Sequence, residues 1–216
     1  MNTILVSSEA AEDSMAHVER EERWGDHVSV DERRNEILRS LGIVLRERGF
    51  GSLRMQDIAD HLNMTKGNLY YYFASKQELL FHCHMKCMDV SMAALAAVEK
   101  DNRDAAEKLR TLLTLHIAGI LEEAYGAVLL TDLEDLAPDH RRRYVGLRDR
   151  FERGVRSIIR EGIAAGFFRK TDPRVATFSI LGAINWMPKW YRPDGAWSAG
   201  DIAHKFADFF VESLRT

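Results

Sequence analysis

The sequence predicts an all-α protein of about nine helices, on three observations. Ala, Leu, Glu and Arg, all good helix formers, dominate a chain of 216 residues that holds only four prolines. Apolar residues recur at three- and four-residue intervals, and no β-branched run alternates with polar residues over a useful length. Breaker-rich steps such as "RGFGS", "LNMTKG" and "YRPDG" punctuate the periodic stretches.

At 46% hydrophobic content the chain can bury an ordinary core. The formal net charge of −3 is uneven. Residues 1–30 carry Glu9, Glu12, Asp13, Glu19, Glu21, Glu22 and Asp26 against Arg20 and Arg23, which leaves the remainder slightly basic. Net charge therefore does not exclude a nucleic-acid partner. This acidic, polar stretch reads as a flexible arm with a short helix around "AHVEREERW". Three segments follow from these shifts: an arm over 1–30, a first helical domain over 31–76 and a second over 77–216. Cys83 and Cys87 lie four apart in a helical pattern, which is the usage of a reducing compartment. No apolar run approaches the roughly 18 residues of a membrane span, so a cytoplasmic protein with no membrane partner is expected.

From Asp31, "DERRNEILRSLGIVLRERGFGS" places Ile37, Leu38, Leu41, Val44 and Leu45 on one stripe and ends at Gly49. "RMQDIADHL" is a short second helix with Met55, Ile58, Ala59 and Leu62 at helical spacing. Asn63 tolerates the left-handed conformation, Met64 is an apolar plug, and the Thr65 hydroxyl can cap a third helix from Lys66 to about Phe73. This is a helix-turn-helix pattern, which presents one helix to the major groove. Leu69 and Phe73 can be buried together, while Tyr70, Tyr71 and Tyr72 splay around the remaining circumference. Gly67 permits close approach of the backbone to a surface. Lys66, Lys76 and the phenols suit phosphates, with Asn68 and Gln56 in reach of phosphates or base edges.

Residues 31–80 resemble the DNA-binding domain of the tetracycline-repressor (TetR) family of bacterial regulators. The resemblance is carried by Asp57, Ile58, Ala59, Thr65, Lys66, Gly67, Leu69, Tyr70, Phe73, Lys76 and Leu80. It implies double-stranded operator DNA as partner, met by Thr65, Lys66, Gly67, Asn68, Tyr70, Tyr71, Tyr72 and Lys76, with Gln56 reaching a base. Arg54 stands where the family has a capping Thr or Ser. The cap is weaker there unless Ser52 takes the role, and Arg54 is available to a phosphate instead.

Beyond Ser75 the pattern predicts a long helix to about Lys100, capped by Ser75 and Glu78, and helices at about 103–122, 124–136, 138–165, 173–191 and 199–214. Within "HCHMKC", Cys83 and Cys87 share a face, but His82 and His84 point about 100° to either side. Small core residues are the plainer reading, and a metal or redox sensor is the alternative. His116 is a lone polar group on an apolar helix, either a satisfied core histidine or a ligand contact. The arginine-rich 138–165 stretch reads as a solvated, ion-paired face or as an anion site. "ILGAINWMPKWYRPDG" sets Trp186 and Trp190 four apart beside Asn185, with Pro188 interrupting the helix. It resembles the penultimate helix of TetR-family repressors that respond to acyl-coenzyme A thioesters. That resemblance implies a homodimer built by the last two helices and an effector that releases DNA. It leaves the tryptophans as interface anchors or effector contacts. No nucleophile set, phosphate loop or paired carboxylates point to an enzyme, and no cofactor is expected.

Overall fold

A computed structural model describes residues 29–100, 102–122 and 125–215; the acidic arm and its expected helix lie outside them. Residues 36–216 form one compact unit, and 1–35 are grouped apart from it. The all-α class stands. Among the described residues there are eight α-helices and two 3-10 segments, and the extended pairing described is a single bridge between Phe168 and Arg215.

Helix α1 (Val30–Arg48) starts one residue early because Ser29 and Glu32 cap it reciprocally, Ser29 N–H donating to Glu32 Oε2 at 2.6 Å and Glu32 N–H to Ser29 Oγ at 3.1 Å. It buries Ile37, Leu38, Leu41, Val44 and Leu45 and stops at Gly49, whose φ of 71° only glycine adopts cheaply. Helix α2 (Met55–His61) and helix α3 (Lys66–Tyr72) are joined by Asn63 at φ 52°, the expected left-handed turn residue. Helix α4 (Lys76–Glu99) is capped by Ser75 Oγ, which accepts Glu78 N–H at 3.1 Å. The predicted capping box is displaced by one residue, since Glu78 takes the N–H of Ala74 rather than that of Ser75.

Helices α5 (Ala105–Glu122), α6 (Pro138–Ala164), α7 (Pro173–Trp190) and α8 (Ala199–Leu214) complete the second domain. Arg110 of α5 reaches Asp208 at 2.6 Å and Glu212 at 3.2 Å on α8. The helix expected at 124–136 is instead two 3-10 segments, Tyr125–Leu130 and Leu133–Asp135. A Cβ on Gly126 would sit 2.3 Å from the Ile120 carbonyl oxygen, so the chain folds back too tightly there for a regular α turn. Pro188 does not interrupt α7 as expected. The helix continues to Trp190: Pro188 gives up only its own bond to the carbonyl four residues back, its side chain is buried, and the Tyr191 N–H still reaches the Met187 carbonyl at 2.9 Å. No helix among the described residues is long and apolar enough to cross a membrane.

Candidate nucleic-acid interface and effector cleft

Helix α3 is anchored from beneath by Leu69 and, just past its end, Phe73, both fully buried. Thr65 Oγ1 caps it, accepting Asn68 N–H at 3.1 Å. With that side committed to the core, Thr65, Lys66, Gly67, Asn68, Tyr70 and Tyr71 form one exposed face, and Tyr71 is 73% exposed. The Lys66 ammonium lies 5.8 Å from the Tyr70 ring centroid, so charge and aromatic surface are presented together. Tyr72 is half-buried and packs edge-to-face on Tyr71 with centroids 5.1 Å apart. Gly67 has an ordinary helical backbone, and a Cβ there would meet nothing nearer than Thr65 Oγ1 at 4.0 Å. Nothing inside the protein requires glycine at 67.

The other expected DNA contacts hold intramolecular partners. Gln56 donates its amide to Asp60 at 2.6 Å. Arg54 grips Asp57 through Nε at 3.2 Å and Nη2 at 3.1 Å, and its backbone N–H reaches the same carboxylate at 2.8 Å. These bonds from the Arg54 side chain and backbone hold the Asp57 carboxyl below its ordinary range. Half of a capping box is thus supplied by Asp57, and Ser52 does not take the cap, since its hydroxyl bonds the Arg48 carbonyl at 2.8 Å. Lys76 donates to the Phe50 carbonyl at 2.7 Å and lies 4.0 Å from that ring's centroid, tying the start of α4 to the loop after α1.

The "HCHMKC" residues diverge. Cys83 and Cys87 are free, buried thiols; burial pushes both up, Cys87 to about 12, so neither is a ready thiolate. His84 is buried, with Nε2 3.2 Å from Thr131 Oγ1, while His82 packs by Phe73 and Phe81. Among the described residues no three His, Cys, Asp or Glu side chains gather as a metal site. His116 is also buried, its ring 4.7 Å from that of Phe151. Desolvation lowers both His84 and His116 to about 4, so they are neutral at pH 7.

Asn185 and Trp186 come together in an open cleft of about 320 Å³ with Leu129, Leu130, Thr131, Asp132, Gly182 and Lys189. Trp190 lies apart from this lining, its ring 5.9 Å from that of Phe206, and His116 is not in it either. Helix α7 has two apolar faces. Ala176, Ile180, Ile184 and Met187 are buried, while Val175, Phe178 and Trp186 face outward, Phe178 58% and Trp186 59% exposed. Gly182 sits on that outer face, where a Cβ would have no neighbour within 4 Å, and on α8 Phe209 is 68% exposed.

Residues 38–83 match the family described as bacterial regulatory proteins, tetR family, and residues 102–214 match the tetracyclin repressor-like C-terminal domain. The chain belongs to the tetR family of regulators. The transcriptional repressor KstR2 of Mycobacterium tuberculosis is 26% identical over 180 residues, covering 82% of this chain and 90% of KstR2. Among solved structures, the TetR-family regulator PfmR of Thermus thermophilus superposes with a TM-score of 0.74 at 30% identity, covering 83% of this chain and 99% of that one. AibR, solved with isovaleryl coenzyme A and operator DNA, gives a TM-score of 0.72 at 26% identity over 85% and 98% of the two chains. As a tetR-family regulator the protein is a DNA-binding transcription factor and not an enzyme. Sequence reasoning overlooked Lys189 and the 129–132 wall of the cleft, which no local pattern marks. It also overlooked the outer apolar stripe of α7, which the 175, 178, 182, 186 spacing does mark.

Proposed function

We propose that this protein is a homodimeric repressor that binds a near-palindromic operator and is released by an acyl-coenzyme A thioester. The observation that carries the DNA reading is α3, with its inner side chains locked in the core and Lys66, Gly67, Asn68, Tyr70 and Tyr71 exposed for no internal purpose. Operator contact and cytoplasmic residence follow from it. The doubly apolar α7 and the exposed Phe209 on α8 support a dimer whose two-fold axis sets two recognition helices on two half-sites. Similarity to AibR and the cleft beside Trp186 support the thioester. Fluorescence anisotropy on DNA upstream of the protein's own gene tests both parts. A thioester displaces the DNA where coenzyme A and the free acid do not; DNA binding that ignores every thioester removes the effector. Phe178→Glu places a charge on the dimer face, and sedimentation shows monomers at concentrations where the parent chain is dimeric; an unshifted dimer refutes that face.

A further inference from the structure

A second cleft, of about 410 Å³, lies where the end of α1 meets the end of α7 and the 125–130 segment. Leu45, Phe50, Ala127, Leu130 and Pro188 give it an apolar floor, and Arg46, Arg48, Lys189 and Arg192 surround it against the single carboxylate of Glu47. Helix C-termini attract cations, but the charges here exceed what two helix ends need. Arg46 Nε is buried and has no hydrogen-bond partner, an arrangement that costs free energy unless an acceptor arrives. Among the described residues no carboxylate lies within ion-pair distance of Arg46, Lys189 or Arg192, while Arg48 pairs with Asp57 at 3.5 Å. The cleft adjoins the one beside Trp186, since Leu130, Thr131 and Lys189 line both.

We infer that this cleft binds the phosphate groups of a small molecule, and that their binding clamps the end of α1 to the end of α7. Arginine forks and a lysine ammonium suit phosphate monoesters and diphosphates, which accept several charge-assisted bonds at once. The inference rests on the thioester reading only for the identity of the natural ligand, whose acyl end would lie toward Trp186. It also gives the effector a direct grip on the DNA-binding domain, because Arg48 touches the carboxylate that caps α2.

Calorimetry with adenosine 3′,5′-bisphosphate, pyrophosphate and adenosine tests the cleft without DNA. The bisphosphate binds and adenosine does not, and Arg46→Gln and Arg192→Gln each weaken the bisphosphate about tenfold or more. Pyrophosphate binding as tightly as the bisphosphate also supports the cleft and assigns it to free diphosphate. Arg192 is exposed, so its variant folds; thermal melting checks Arg46→Gln. No binding of either phosphate probe, or unchanged affinity in both variants, overturns the inference. So does loss of operator affinity without loss of bisphosphate affinity, which would make the arginines contacts to the DNA backbone. If a thioester releases DNA with equal potency in both variants and the bisphosphate affinity is also unchanged, the cleft falls and the effector stands. If the variants lose bisphosphate while no thioester acts, the effector falls and the cleft stands.

Discussion

Gly67→Ala separates what the fold needs from what the DNA needs. The backbone at 67 is helical with φ outside the left-handed region, and the new methyl carbon would have Thr65 Oγ1 at 4.0 Å as its nearest neighbour. Alanine therefore meets no clash and restricts the unfolded chain, which stabilises the protein by about 0.5 kcal/mol at this second helical position, the low end of the glycine-to-alanine range. For a chain of this size that raises Tm by about 1–2 °C. At the DNA surface the same methyl group stands off the backbone. Losing one charge-assisted phosphate contact per half-site costs about 1.5 kcal/mol, or about 3 kcal/mol for a dimer on two half-sites, a hundredfold or more in Kd. Melting and anisotropy at one fixed salt concentration read the two effects on the same preparation. A variant that melts lower would refute the packing argument. One that melts higher but binds the operator as tightly as the parent would refute the placement of Gly67 against DNA.

Lys66→Ala weakens operator binding across all sequences alike and lowers the slope of log K against log salt by about one per half-site; an unchanged slope means Lys66 touches no phosphate. His84 and His116 give a pH dependence. Their folded values of about 4 lie below the ordinary 6.5, so the unfolded chain binds the extra protons. Stability is complete above about pH 6.5 and is lost as pH falls toward 4, by about 2 kcal/mol per histidine at pH 5. Urea midpoints between pH 7 and pH 5 check this, and His116→Gln removes about half of the fall. A flat profile over that interval would show that neither ring is buried as a neutral group.

Much of the first domain was legible because its determinants are local. Asn63, Thr65, Leu69 and Phe73 each act within a turn or two of their own position, and their spacing alone fixes the turn, the cap and the buried side of α3. The 124–136 stretch was not legible, because the tight turn at Gly126 is dictated by the Ile120 carbonyl and by Pro188, the latter more than sixty residues away in sequence. The partner of Lys76 was obscured in the same way, whereas that of Arg54, Asp57, lies only three residues on. A lysine beside a recognition helix reads as a phosphate ligand, and nothing in that pattern points to its partner in the fold, the Phe50 carbonyl 26 residues upstream. The clefts depend on α1, α7 and the 3-10 segment meeting, so no window of sequence contains them.

In the proposed mechanism those long-range contacts are also what would carry control of DNA binding. Helix α4 follows the recognition helix after only Phe73, Ala74 and Ser75, so any movement of α4 carries α3 with it. Its first turn is tied to the loop after α1 through Lys76 and Phe50, and further along it is tied to the second domain. Phe81 stacks on His140 of α6 at 3.9 Å, and His84 meets Thr131, whose hydroxyl also donates to the Val128 carbonyl at 2.8 Å. Thr131 lines both clefts, so a ligand in either one touches the residue that holds α4. A ligand shifts the spacing of two recognition helices only by its affinity difference between the two arrangements, about 1–3 kcal/mol in ordinary couplings. Losing the single His84–Thr131 bond, together with the partner it leaves stranded in the core, is worth about that much. Rearrangement at this one part-buried hydrogen bond is therefore enough to account for the proposed release, and no large reorganisation of the domain is required.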